Sequence, residues 1–123
     1  IKKNFKKKII LIDRFVDSTL AYQHYGMGVD IKFIKTINNF LLKNIKVNFT
    51  FLNLVNQKNM QKRLSARKKL NRYDKFTDVF YKKVQNGFLN IAKQNPNKYM
   101  KIDSNLNIIK NKKIILNKLI NLI

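Results

Sequence analysis

The sequence has 123 residues, the length of one ordinary domain, and its 27 Lys and Arg residues against six acidic residues give a net charge of +21. Apolar residues make up 45% of the chain, which excludes a fully disordered polyelectrolyte, and no apolar run is long enough to span a membrane. Because there is no cysteine and His24 is the single histidine, disulfides, thiolate chemistry and metal sites built from several Cys or His are excluded.

The first third of the chain predicts one strand and two helices. Residues 8–12, with the sequence KIILI, form a short apolar run typical of a strand buried on both faces of a parallel sheet. Asp17 and the two hydroxyl residues after it favour the start of a short helix, which ends at Gly26. Asp30 is expected to cap a second helix, whose apolar stripe comprises Phe33, Ile34, Ile37, Phe40 and Leu41.

The middle of the chain predicts a second strand and two more helices. Residues 49–55 are nearly all apolar or β-favouring, and residues 57–70 have helical periodicity. The polar stretch 68–75 breaks that periodicity and predicts a loop. A long helix should follow and continue through Asn86–Gly87, because one apolar stripe passes through that dipeptide: Phe76, Val79, Phe80, Val84, Phe88 and Ile91.

The C-terminal part predicts a turn at residues 95–97, a third strand over 99–102 and an amphipathic helix whose apolar face should dock on the sheet. Since strands alternate with helices, we expect a single α/β domain with a parallel sheet. Ligands of such sheets bind at the carboxyl ends of the strands, where Asp13 and Arg14 follow the first predicted strand.

The segment after that strand carries the most specific motif. Residues 13–23, DRFVDSTLAYQ, closely resemble the D-R-[FY]-x-D-S-[ST]-x-A-Y-Q motif of thymidylate kinases of the bacterial type. Three further segments are similar to that family in the same order: Asn48–Thr50 resembles its D-L-T, Ile102–Ser104 resembles its I-D-A, and Arg63, Arg67 and Arg72 resemble the arginines of its lid.

The resemblance implies an α/β P-loop nucleoside-monophosphate-kinase fold that is incomplete here. The chain's three glycines cannot form the family's P-loop, so residues 1–123 are expected to be the C-terminal part of one kinase domain, with the lid at about 63–75. In the family, the P-loop strand lies between the strands that correspond to 8–12 and 49–55. We therefore expect those two segments to flank a gap.

The resemblance also implies roles for individual residues. The reaction would transfer the γ-phosphoryl group of ATP to dTMP in the full-length protein, a cytoplasmic enzyme and typically a homodimer, while this chain alone would be inactive. Catalytic roles fall to Asp13, Arg14 and Arg72, and Asp13 would hold Mg²⁺, usually through water. The expected dTMP-binding residues are Arg14, Ser18, Thr19, Tyr22 and Gln23, and the expected phosphate-binding residues of the lid are Arg63, Arg67 and Arg72.

Two other functions stay open at this point. Other nucleoside or nucleotide kinases of the same fold also carry an acid–arginine pair after a strand. The charge of +21 also fits a small basic protein that binds nucleic acid. The lysines are distributed along most of the chain, however, and the chain is also rich in Asn and Ile, whose codons are AT-rich. This pattern indicates compositional drift rather than a nucleic-acid-binding surface.

Overall fold

A computed structural model describes residues 7–43, 45–69 and 76–122. In chain order its helices and strands are α1 (Val16–Thr19), which continues as a π-helical segment (Leu20–Gly26), α2 (Ile31–Leu42), β1 (Thr50–Leu54), α3 (Gln57–Ser65), α4 (Asp78–Gln94), a 3-10 turn (Pro96–Lys98), β2 (Tyr99–Asp103) and α5 (Ile108–Ile120). No helix in these ranges is long and apolar enough to cross a membrane.

Four of the helices begin where a polar side chain caps the backbone. In each case the capping oxygen accepts a hydrogen bond from the amide three residues later, which satisfies one of the backbone donors that a helix start leaves without a partner. The expected cap at Asp30 is confirmed, and the pairs are Asp30–Phe33, Asn56–Asn59, Thr77–Phe80 and Asn107–Lys110.

The two strands form a parallel sheet, as the sequence predicts. Thr50 lies opposite Tyr99 and Leu54 opposite Asp103, and the Ser104 amide donates to the Leu54 carbonyl at 2.8 Å. Ile102 is the most deeply buried large side chain, with 2% of its surface exposed. The other edge of β1 pairs with no strand in the described part of the chain.

The predicted strand at residues 8–12 is wrong for this structure. The segment is irregular, and Ile9 and Leu11 are 64% and 77% exposed. The reason is that a strand acquires its backbone hydrogen bonds from a neighbour, and no described strand lies beside this segment. Hydrophobicity alone therefore does not make the segment a strand.

The main core lies between the π-helical segment and α4. Ala21 is fully buried among Phe80, Val84 and Ile91, so most of the stripe predicted for the long helix is confirmed, although Val79 is 63% exposed. α4 continues through Gly87, where the backbone lies so close to Tyr25 that a Cβ atom would be 2.6 Å from the Tyr25 Cγ atom. The absence of a side chain at Gly87 allows this close packing.

The apolar face of α5 does not dock on the sheet as expected. Ile108 and Ile109 are 84% and 77% exposed, and only Leu119 together with Leu122 just after the helix line the groove beside β1. In α2, similarly, Ile34 is the single buried residue of the predicted stripe. The amphipathic pattern thus predicted both helices correctly, but it did not predict how much of each apolar face is buried.

Candidate active site

A large open groove separates residues 8–18 from residues 45–55, at the place where the family resemblance predicts a gap. Its volume is about 1430 Å³, more than the roughly 300–1,000 Å³ of an ordinary small-molecule site. Side chains of α3 and α4 complete its lining. Six of the predicted site residues line this groove: Asp13, Arg14, Ser18, Tyr22, Arg63 and Arg67.

Arg14 is held in an unusual backbone conformation at the groove wall. Its φ of 59° lies in the left-handed region, which costs a non-glycine residue about 1–2 kcal/mol. The Arg14 Nη1 atom donates to the Tyr22 hydroxyl at 3.2 Å, and its guanidinium carbon lies 5.5 Å from the centroid of the Tyr22 ring. This hydrogen bond raises the pKa of the guanidinium, while partial burial acts in the opposite direction.

Tyr22 is itself fixed by aromatic packing against α4. Its ring makes edge-to-face contacts with Phe80 and Phe88, at centroid distances of 6.0 and 6.4 Å. Edge-to-face geometry is the arrangement that aromatic quadrupoles favour. The hydroxyl that meets Arg14 therefore belongs to a ring with little freedom to move.

The structure separates two of the predicted dTMP-binding residues, Thr19 and Gln23, from the groove. Thr19 and Gln23 line a second, mainly apolar pocket of about 290 Å³ against Phe33 and Ile37 of α2. Residues four apart share one side of a helix, so Ser18 and Tyr22 face the groove while the pair one position later faces α2. The five predicted dTMP-binding residues are thus divided between two adjacent pockets.

Two of the predicted lid arginines, Arg63 and Arg67, lie at the other side of the groove. The Arg63 Nη2 atom donates to the Ser104 carbonyl at 2.5 Å, which ties α3 to the end of β2. Arg67 follows α3 and also lines the groove. Arg72, with its neighbours Asn71 and Asp74, lies outside the described residues.

Amide side chains connect the carboxyl ends of β1 and β2, and sequence reasoning missed them. The Asn105 Oδ1 atom accepts from Asn59 Nδ2 at 2.9 Å and from the Asn56 amide at 3.1 Å. Asp103 Oδ1 in turn accepts from the amide and side chain of Asn105, at 2.9 and 2.6 Å. Asparagine is so common in this chain that no local pattern distinguishes these three residues.

Asp17 also has a partner that the sequence does not reveal. The Tyr99 hydroxyl donates to Asp17 Oδ2 at 2.7 Å, linking α1 to the start of β2 across 82 positions. Burial, followed by this hydrogen bond to a carboxylate, raises the pKa of Tyr99 well above its usual value. His24 also has a partner within the chain. Its Nδ1 atom lies 2.8 Å from the Val29 carbonyl oxygen, and this contact stabilises the turn before α2.

Two carboxylates line the groove, and Asp13 is the one available to a metal ion because Asp17 accepts the hydrogen bond from Tyr99. Asp13 lies exposed on the groove wall, and no group of three or more His, Cys or acidic residues able to hold a metal occurs in the described ranges. Mg²⁺ in phosphoryl-transfer sites is held by one or two carboxylates together with water and substrate phosphates. A single aspartate at this place fits that mode of binding.

Comparison with known proteins agrees with the motif. The family model for thymidylate kinase matches residues 1–115. The chain belongs to the thymidylate kinase family. It is 37% identical to the thymidylate kinase of Sulfurihydrogenibium sp. (strain YO3AOP1) over 90% of this chain and 53% of that protein. It is also 37% identical to the thymidylate kinase of Wolbachia sp. subsp. Brugia malayi (strain TRS), over 76% of this chain and 43% of that protein.

The fold comparison agrees as well. The crystal structure of thymidylate kinase from Ehrlichia chaffeensis matches 94% of this chain and 52% of that chain, with a TM-score of 0.62 and 28% identity. The α/β P-loop kinase fold expected from the motif is thereby confirmed. The chain spans about half the length of the thymidylate kinases that it matches.

Proposed function

We propose that this chain is the C-terminal part of a thymidylate kinase domain and supplies its dTMP site and lid, the lid spanning about 63–75. The observation that carries the proposal is Arg14, whose guanidinium lies on the groove wall next to Asp13 in the family's D-R motif. A planar guanidinium binds phosphate through two parallel hydrogen bonds, which suits it to the 5′-phosphate of dTMP.

The reaction is the transfer of the γ-phosphoryl group of ATP to that phosphate, giving dTDP. Such transfer depends on positioning and on neutralising negative charge more than on covalent chemistry. Arg14 holds the acceptor phosphate, Asp13 is the residue that would hold Mg²⁺, and the metal supplies charge neutralisation when bound. Arg63, Arg67 and Arg72 are proposed to face the phosphates from the lid side.

The two adjacent pockets suggest how dTMP is divided between them. We assign the phosphate to the groove beside Arg14 and the base to the apolar pocket, where the Gln23 amide can both donate and accept hydrogen bonds and Thr19 lies on the same wall. Ser18 and Tyr22 lie between these two ends, where the sugar would be placed. The full-length enzyme is proposed to be a cytoplasmic homodimer.

Binding of dTMP to this chain tests the proposal directly. We expect calorimetry to detect dTMP binding and Arg14→Ala to weaken it by about tenfold or more, since a charged hydrogen bond contributes about 1.5–3 kcal/mol. Arg14→Lys should restore only part of the affinity because it keeps the charge and loses the fork. Lys113→Ala on α5, outside the groove, removes the same unit of charge and is the matched control.

Two results would contradict the assignment. Equal dTMP affinity in Arg14→Ala and Lys113→Ala would show that general positive charge, rather than Arg14, binds the nucleotide. Preference for dUMP, dCMP or dGMP over dTMP would favour another kinase of the same fold. We also expect no turnover of ATP and dTMP by this chain alone in a coupled assay, because its sequence contains no G-x-x-x-x-G-K-[ST] loop.

A further inference from the structure

The contact between Arg14 and Tyr22 joins a flexible side chain, that of Arg14, to a rigid one, that of Tyr22. An arginine side chain has many rotamers, and part of that conformational entropy is lost whenever its guanidinium is fixed on a ligand. Tyr22 has two side-chain torsions and is packed against Phe80 and Phe88. Its hydroxyl therefore offers the guanidinium a fixed acceptor at the groove wall.

The geometry restricts Arg14 at both ends of its side chain. At the backbone, the left-handed φ of 59° sets the direction in which the side chain leaves the main chain. At the guanidinium, the 3.2 Å hydrogen bond to the Tyr22 hydroxyl and the nearby ring face define its place. That hydrogen bond uses one of the five guanidinium N–H groups, so a bidentate contact to a phosphate is still chemically compatible with it.

We propose that Tyr22 is the positioning residue of Arg14: its hydroxyl holds the guanidinium in the orientation that receives the 5′-phosphate of a nucleoside monophosphate. The inference rests on the proposed function for the identity of the ligand. This role differs from a direct contact between Tyr22 and the sugar, because a positioning residue affects only the binding of the phosphate. A residue that pre-orients a binding group increases affinity by removing an ordering cost from the binding step.

Tyr22→Phe separates these two roles because it removes the hydroxyl and keeps the ring. We expect this variant to bind dTMP about tenfold more weakly, the effect of one such hydrogen bond, and to bind thymidine, which has no phosphate, with unchanged affinity. Tyr25→Phe, on the same π-helical segment, is the matched control and should leave both affinities unchanged. Equal losses for dTMP and thymidine, or no loss for either, would overturn the positioning role.

A second measurement does not depend on nucleotide binding. The ¹⁵N spectrum of the Arg14 guanidinium should show slowed rotation about the Nε–Cζ bond in the wild-type chain and in Tyr25→Phe, and fast rotation in Tyr22→Phe. Identical Arg14 spectra in all three proteins would refute the inference even if dTMP binds as proposed. If dTMP does not bind but the spectra differ as expected, the contact stands and the proposed function fails.

Discussion

Replacing Gly87 by alanine should destabilise the protein, although the usual helix propensities predict the opposite. Gly87 lies inside α4, where alanine is favoured over glycine by about 1 kcal/mol. In this fold, however, an added Cβ would lie 2.6 Å from Tyr25 Cγ and 2.7 Å from Tyr25 Cβ. The Tyr25 Cβ atom is fixed by the backbone and cannot rotate away, so α4 and the π-helical segment would have to separate.

The size of the effect follows from these two contributions. Overpacking of a close contact costs about 1–3 kcal/mol and sometimes more, and the helix-propensity gain offsets about 1 kcal/mol of it. A contact of 2.6 Å places the overpacking cost at about 2–3 kcal/mol, the upper part of that range. We therefore expect a net loss of about 1–2 kcal/mol in the free energy of unfolding, measured by urea titration with far-ultraviolet circular dichroism. Asn90→Ala, at an exposed position of the same helix, should instead stabilise the protein by a few tenths of a kcal/mol. If Gly87→Ala is as stable as Asn90→Ala, the close packing of α4 on Tyr25 is refuted.

Three further outcomes are expected. Ile102→Ala should lower the free energy of unfolding by about 2–5 kcal/mol because Ile102 is 2% exposed. Ile108→Ala, at a position that is 84% exposed, should change it by less than about 0.5 kcal/mol, and equal effects of the two substitutions would contradict the described core. Arg14→Gly should be more stable than Arg14→Ala by about 1 kcal/mol, since both variants lose the guanidinium and only glycine adopts a φ of 59° without strain. The reverse order of stability in urea titrations would contradict the left-handed backbone at this position. Because folding raises the pKa of Tyr99, the unfolded chain loses the hydroxyl proton first, and the free energy of unfolding should fall as the pH rises above about 10. Tyr99→Phe should show a shallower fall. Parallel pH profiles of the two proteins would show that the bond to Asp17 does not affect the titration of Tyr99.

The hydrophobic pattern was sufficient to predict those helices and strands whose packing partners are described in this chain. β1, β2 and α4 were predicted because their apolar residues face a core that the chain itself supplies. Residues 8–12 have an equally strong pattern but no described strand beside them, so the prediction failed at the step from hydrophobicity to hydrogen bonding. The helices α2 and α5 formed as predicted because their hydrogen bonds are internal, but most of their predicted apolar stripes are exposed in the described structure.

The candidate site was predictable in its residue types and less so in its arrangement. The D-R motif identified Asp13 and Arg14, and both line the groove. Nothing in the sequence indicated the left-handed backbone of Arg14 or its bond to Tyr22, because both depend on how α4 holds the Tyr22 ring. The division of the predicted dTMP-binding residues between two pockets depends on which way the helix faces, and a linear motif does not contain that information.

One edge of β1 pairs with no strand in the described residues, and this edge affects how the chain, taken alone, meets other copies of itself. Since Ser104 donates to Leu54, the backbone groups of Leu54 and of every second residue before it point toward β2, and those of Phe51 and Asn53 point into the groove. Such an edge can add a strand from another chain, while the charge of +21 on each molecule opposes their approach. Salt screens that repulsion and leaves backbone pairing intact, so added salt should promote self-association of this protein, whereas it would weaken binding to a nucleic acid.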